Sequence, residues 1–309
     1  MKGKFSVNDN SKLDLGMVTD AIWTDYDNDG WEDLLVVREY NSVLMLKNMQ
    51  GKGFEAVKLP GIEEKHGIWC SVAAGDFNND GYIDYIIGNI GENNRYSVSE
   101  KYPLNLYALD IDGNGSVDPI ISAYWPDRFN RMKEFPLNYL DELTSQSKYF
   151  QKLKDYAFFS YAYMDEVLSK DVMKNLEFKS DVNTTSSYIL WNDKGKFSWE
   201  KLPYAMQVSP VRKMIVEDLN GDNYPDVIVG GNDYSYDVST GNYDSNKGII
   251  LMNRGKNQEK GKHTFDVLQP AQSGMLLEGM VESLLYLKGD TSLIVAGFNR
   301  AKAEVYILR

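Results

Sequence analysis

Asp25-Tyr-Asp-Asn-Asp-Gly-Trp-Glu-Asp33 is a nine-residue acidic loop with side-chain oxygens at positions 1, 3, 5 and 9. The chain writes the same frame three more times, as Asp76-Phe-Asn-Asn-Asp-Gly-Tyr-Ile-Asp84, Asp110-Ile-Asp-Gly-Asn-Gly-Ser-Val-Asp118 and Asp218-Leu-Asn-Gly-Asp-Asn-Tyr-Pro-Asp226. Oxygens at positions 1, 3 and 5, a backbone carbonyl at 7 and a carboxylate at 9 make a cage for a hard divalent cation. Calcium, which accepts many oxygens in a flexible geometry, fits that cage best. Asp, Asn and Gly are also ordinary turn formers, so one such loop alone marks only a turn. Repetition of the whole ligand frame points to metal.

The ligand set expected from this frame is Asp25, Asp27, Asp29, Trp31 and Asp33 in loop one, and Asp76, Asn78, Asp80, Tyr82 and Asp84 in loop two. Loop three supplies Asp110, Asp112, Asn114, Ser116 and Asp118; loop four supplies Asp218, Asn220, Asp222, Tyr224 and Asp226. Up to four Ca2+ ions are therefore expected. Position 6 needs a left-handed backbone, which Gly30, Gly81 and Gly115 adopt without a Cβ penalty. Asn223 stands there in loop four, and Asn is the non-glycine residue that tolerates the conformation best. An EF-hand would place its last ligand at position 12 between helices; here the last ligand comes at 9 and the flanks are apolar and β-branched.

Those flanks read as buried strands. Before the loops stand Ala21-Ile-Trp23, Val72-Ala-Ala74, Leu106-Tyr-Ala-Leu109 and Met214-Ile-Val216; after them come Leu34-Leu-Val-Val37, Tyr85-Ile-Ile87, Ile120-Ile121 and Val227-Ile-Val229. A longer phrase follows. Ser42-Val-Leu-Met-Leu-Lys-Asn48 leads through a Gly-bearing turn to Phe54-Glu-Ala-Val-Lys-Leu59. It returns as Tyr188-Ile-Leu-Trp-Asn192 with Phe197–Leu202, and as Gly248–Asn253 with Thr264–Leu268. Each unit is then strand, loop, strand, strand, turn, strand: a four-stranded antiparallel blade.

The fold expected is all-β, a propeller of about five blade-equivalents in one domain spanning residues 1–309. The segment from Leu104 to Trp125 belongs either to blade two or to the start of blade three. Val281–Leu287, Ser292–Ala296 and Ala303–Leu308 offer three strands without a loop, and Gly3-Lys-Phe-Ser-Val7 is expected to complete that last blade and close the ring. Residues 127–183 break the pattern. Leu, Lys, Glu and aromatics at helical spacing there predict two or three inserted helices packed on one face of the propeller. Their aromatics read mostly as packing, with a minority at the rim able to stack on a sugar.

Three of the loop phrases, Asp25–Asp33, Asp76–Asp84 and Asp218–Asp226, each followed by an apolar strand, resemble FG-GAP repeats, also called VCBS repeats. This calcium-loop blade is also seen in integrin α-subunit propellers. Gly16–Asp25, Trp69–Asp76, Gly88–Asn93, Asp112–Pro119 and Gln272–Gly274 resemble stretches of large repeat proteins secreted to the surface of Gram-negative bacteria. The resemblance implies a C-terminal portion of such a protein, serving in adhesion, ligand binding or scaffolding. Asn220 and Asn223 depart from the usual Asp and Gly of the repeat.

Composition narrows the function. The 309 residues carry a net charge of −12, which excludes a basic nucleic-acid footprint. No apolar run is long enough to span a membrane as a helix. Cys70 is the single cysteine and reads as a small buried hydrophobe; His66 and His263 are the only histidines, too few for histidine-based metal or triad chemistry. Cytosolic calcium would not fill sites of modest affinity, so the loops argue for an extracytoplasmic home, with Met1-Lys-Gly-Lys4 read as the start of a mature fragment.

The expected function is a non-catalytic, calcium-stabilised binding propeller for a glycan or a protein partner. A structural spacer in a larger surface protein is the second reading. An enzyme using paired carboxylates on polysaccharide is the third, because no catalytic set assembles in the sequence. Candidate ligand contacts are Arg95, Tyr96, Tyr234 and Tyr236. Asp20, Trp23, Trp69, Ser71, Arg212 and Glu282 are candidates to line the propeller axis, with the two tryptophans read more readily as core.

Overall fold

The computed structural model describes residues 13–153, 155–236, 241–256 and 263–308. These form two compact units. One runs to Glu64, resumes over Ile68–Asn94 and again from Ser186; the other comprises Lys65–Gly67 and Arg95–Thr185.

The first unit contains the repeat. Its first sheet is a meander of Val18–Thr24, Asp33–Asn41, Leu44–Asn48 and Phe54–Val57. The second combines Ser71–Gly75 and Asp84–Gly88 with Tyr188–Asp193 and Lys196–Lys201. The third runs through Val211–Glu217, Asp226–Gly231, Ile249–Lys256 and His263–Leu268, and the fourth has Val281–Leu287, Leu293–Phe298 and Glu304–Ile307. All neighbouring strands are antiparallel, and every loop-flanking run read as a strand is one. The fourth sheet has three strands among the described residues, as the sequence pattern requires. Gly3–Val7, expected to complete it, lies outside the described residues, and ring closure is not seen among them.

Strand alternation decides how the sheets stack. Leu35, Val37 and Met45 of the first sheet meet Tyr85, Ile87 and Leu190 of the second in one buried cluster. The opposite face of the second sheet, Ile86 and Ile189, meets Val227, Val229, Ile249 and Leu251 of the third. The third then turns Ile228 and Ile250 toward Val281, Leu284, Ile294 and Ala296 of the fourth. Odd and even positions of one strand thus serve two different junctions. Each fully buried aliphatic side chain adds about 1.5–3 kcal/mol to that stacking. The first strands of successive sheets lie side by side, as the inner strands of blades do.

Three of these inner strands bulge at the same place: the register slips between Val18 and Asp20, between Val211 and Lys213, and between Val281 and Ser283. The unpaired residues are Thr19, Arg212 and Glu282. A bulge re-aims its side chain out of the pleat, here at the start of each inner strand.

The insertion departs from expectation. Helices occupy only 140–175, as short segments at Leu140–Gln146, Tyr156–Phe159 and Met164–Val167 with 3-10 turns between and after them. The rest of the interval read as helical includes two strands, Met132–Pro136 and Leu176–Val182. They flank Asp118–Pro126 and Leu104–Leu109 in a four-stranded sheet ordered 132–136, 118–126, 104–109, 176–182. Leu104 to Trp125 therefore belongs to neither neighbouring blade, but to the centre of a sheet in the second unit. The helices pack on that sheet: Leu109 and Ile120 bury against Leu143, Phe150, Leu153 and Val167. In chain order the whole of residues 95–185 falls between the second and third strands of the second sheet.

Candidate metal centres and polar sites

All four loops wind in the same way. The first Asp accepts backbone N–H groups from positions 5 and 6: Asp25 from Asp29 (3.0 Å) and Gly30 (2.8 Å), Asp76 from Asp80 (3.0 Å) and Gly81 (2.8 Å). Asp110 accepts from Asn114 (3.1 Å) and Gly115 (2.8 Å), and Asp218 from Asp222 (3.2 Å) and Asn223 (2.9 Å). Position 6 is left-handed throughout, with Asn223 at φ 69° beside three glycines. Position 4 is left-handed too, in Asn28, Asn79, Gly113 and Gly221. A loop that reverses twice in five residues points its side-chain oxygens inward.

The closing Asp is the buried anchor. Asp33 Oδ1 accepts from the Asn48 amide (2.7 Å), Asp84 Oδ1 from Asn192 (2.9 Å) and Asp226 Oδ1 from Asn253 (2.7 Å). These are the asparagines of the recurring third-strand phrase. Their side chains accept from the turn glycines Gly51, Gly195 and Gly255. Asn192 Nδ2 also donates to the Tyr26 carbonyl (2.8 Å) and Asn253 Nδ2 to the Phe77 carbonyl (2.8 Å), the second residue of the preceding loop in each case. A second link runs through position 4: Asn28 Nδ2 donates to Gly81 O (2.8 Å), and Asn79 Nδ2 to Asn223 O (3.1 Å). Loops one, two and four are thereby tied in series.

The donor set of loop one fits a hard cation. Asp25, Asp27 and Asp29 bring a carboxylate oxygen each within 4.8 Å of one another, as do Asp110, Asp112 and Asp118 in loop three. Asp27 Oδ1 and Asp33 Oδ2 are buried without a hydrogen-bond partner among the described residues, a costly state for an anionic oxygen that a bound cation would relieve. Burial, in the first place, raises the carboxyls of Asp33 and Asp226 and takes Asp84 up to about 7. Loop one also has a resident ammonium: Lys47 Nζ contacts Asp27 Oδ2 and lies 2.8 Å from Asp29 Oδ2. In a calcium complex the ion would supply positive charge to the carboxylates and hold the loop closed. At position 7, Trp31 and Tyr224 lay their rings over the turn glycines Gly51 and Gly255, so these aromatics serve packing.

Residues 25–87 match the FG-GAP-like repeat, the stretch that holds loops one and two and the strands around them. The chain carries an FG-GAP-like repeat. Comparison with curated proteins finds no match. The same loop frame recurs outside the matched stretch, at Asp218–Asp226, with its own buried Asp and strand-three asparagine.

The axis candidates separate. Trp69 is buried, stacked on Trp199 with ring centroids 5.5 Å apart, and donates to the Asn41 carbonyl, so it is core. Trp23 is not core: it is 59% exposed against Phe54, because nothing among the described residues covers that face of the first sheet. Ser71 Oγ is buried and donates to Val211 O (2.6 Å), and Asp20 accepts from the Val72 amide (3.1 Å), so both join neighbouring sheets. Arg212 and Glu282, the bulge residues, come together at 3.8 Å, with Asp233 on the other side of the guanidinium. Arg212 Nε is buried without an acceptor among the described residues. The neighbouring Cys70, expected to be buried, is half-buried, and the burial of its thiol pushes its pKa up to about 12, which keeps it protonated.

Of the loop candidates, Tyr234 is exposed, whereas Tyr236 is half-buried edge-on against Tyr243 at 4.7 Å. Arg95 lies over the Tyr96 ring at 5.3 Å in the second unit. Sequence reasoning missed two features. One is the asparagine of strand three, visible as a repeated letter but not as the partner of the loop. The other is Glu134, described below, whose partners lie on two other strands.

Proposed function

We propose that the protein is a calcium-stabilised, non-catalytic binding module that works outside the cytoplasm and recognises a glycan or a protein partner. The observation that carries this reading is the loop architecture: inward carboxylates, two of them with orphaned buried oxygens, closing on a buried Asp that the next strand anchors. Calcium in these loops would stiffen the turn ends of the sheets and cancel much of the chain's negative charge. The stacked sheets extend to a propeller of such blades.

The binding face assigned here is the cluster at the bulged starts of the inner strands, Arg212 with Asp233 and Glu282, beside exposed Tyr234. Charged and aromatic side chains that converge where loops meet suit recognition. No helix among the described residues is long and apolar enough to cross a membrane. The test is a screen of the calcium-loaded chain against polysaccharides and surface proteins, repeated with Arg212→Ala. Binding that requires calcium and weakens in the variant supports the reading. Turnover of a polysaccharide by the chain would overturn it.

A further inference from the structure

We propose that the second unit holds a separate pocket for one pyranose sugar residue, with Glu134 as its hydroxyl acceptor. The proposal rests on the binding-module reading and extends it to residues 95–185. Antiparallel register sets Asn105 opposite Ser122 and Tyr124 opposite Glu134, so these side chains and Tyr107 share one face of the inserted sheet. They converge on a single carboxylate. Glu134 Oε1 accepts from Ser122 Oγ (2.5 Å), Asn105 Nδ2 (2.7 Å) and Tyr107 Oη (2.8 Å), whereas Oε2 has only a 3.4 Å contact from Tyr124 Oη. Asn105, Ser122 and Tyr107 are buried, and Glu134 is half-buried.

A carboxylate held by neutral donors alone is an unusual structural choice, since neither Lys nor Arg among the described residues pairs with it. The arrangement makes sense as a preset acceptor. Three buried donors fix one oxygen, and the other keeps lone pairs for a ligand. Glu134 opens into a cavity of 290 Å³ whose lining combines Tyr107, Met164, Leu168 and Met173 with the charged Asp165 and Lys170. That size is at the small end of ligand pockets. A pyranose matches the mix of surfaces: adjacent hydroxyls for Glu134 Oε2, Asp165 and Lys170, and C–H groups for the Tyr107 ring and the methionines, whose flexible side chains adapt to an uneven ring face. An amine fits less well, because the ammonium of Lys170 also lines the cavity.

The test uses the full chain with calcium present and simple probes: glucose, galactose, mannose and N-acetylglucosamine, with putrescine as the amine control. Binding is read by saturation-transfer NMR and titration calorimetry in the native protein, Glu134→Gln and Met173→Trp. Gln keeps the shape and the contacts of one oxygen but removes the charge; Trp fills the cavity from a partly exposed position. The expected result is that one sugar gives ring C–H transfer signals and millimolar affinity, falls at least tenfold in Glu134→Gln, and is lost in Met173→Trp, with both variants melting as the native chain does. A sugar that binds all three proteins alike overturns the pocket while leaving the binding-module reading standing. Preference for putrescine, or no binding of any probe by a chain that binds calcium, overturns the pocket as well.

Discussion

Lys47 Nζ lies 2.8 Å from Asp29 Oδ2 and also contacts Asp27, so the first FG-GAP loop carries an internal cation on two of its expected metal ligands. The matching positions in the second and third sheets are Trp191 and Met252, which bring no charge. An ammonium and a calcium ion compete for the same oxygens. Lys47→Met should therefore raise the calcium affinity of loop one by several-fold while leaving loops two and four unchanged. Calorimetric titration of the variant checks this; an unaltered isotherm would mean that Lys47 swings clear at no cost.

Asn192 concentrates four bonds at one buried junction between two loops. Its amide donates to Asp84, its side-chain N–H groups to Tyr26 O and Ile83 O, and its Oδ1 accepts from Gly195. Asn192→Ala leaves two buried carbonyls and one N–H without their partner, which costs on the order of 2–4 kcal/mol at the usual price of orphaned groups. Asp290→Ala, at an exposed site, should change stability by less than about 0.5 kcal/mol. Denaturant melts of the two variants give the comparison, and similar midpoints would remove Asn192 from the account.

Gly61 has φ +86°, and a Cβ placed on it would stand 1.9 Å from the Phe197 carbonyl oxygen. That oxygen is backbone and cannot rotate away. Gly61→Ala should destabilise the chain by about 2 kcal/mol or more, whereas Gly241→Ala, with open space around it, should cost only the left-handed backbone strain. Thermal melts of both variants settle the order.

The buried closing aspartates set a pH dependence for the calcium-free chain. Burial holds Asp33, Asp84 and Asp226 above the ordinary value of 3.8, Asp84 at about 7. From 3.8 up to about 7 the folded chain keeps protons that the unfolded chain has released, so stability falls as pH rises through that window. Calcium requires the ionised carboxylates and reverses the slope. Calcium-stripped protein should melt higher near pH 5 than near pH 7.5, and calcium-saturated protein the other way round. Parallel slopes in the two forms would contradict the assignment of these aspartates to the metal sites.

How much of this was readable in the sequence depends on distance along the chain. Asp25–Asp33 and Leu34–Val37 are local signals, and the loops and their flanking strands fell where the letters placed them. The pairing of Tyr85 with Leu190 spans residues 95–185 and leaves no local trace, so the insertion was taken as smaller and more helical than it is. Met132–Pro136 and Leu176–Val182 were hidden because both strands lie at sheet edges and lack a clean apolar alternation. Trp69 and Trp23 look alike in sequence; only the stacking of the second sheet buries the first and leaves the second exposed. The Glu134 cluster joins residues from three strands, and no spacing could announce it.

The central claim is that these loops hold structural calcium. It is tested most directly by melting the full chain in excess calcium and again after complete chelation. A cation bound only to the folded state adds about 2.7 kcal/mol at a hundredfold excess over its dissociation constant. The account predicts a transition several degrees higher with calcium, and a smaller shift in Asp80→Ala. Identical melts with and without calcium would contradict it.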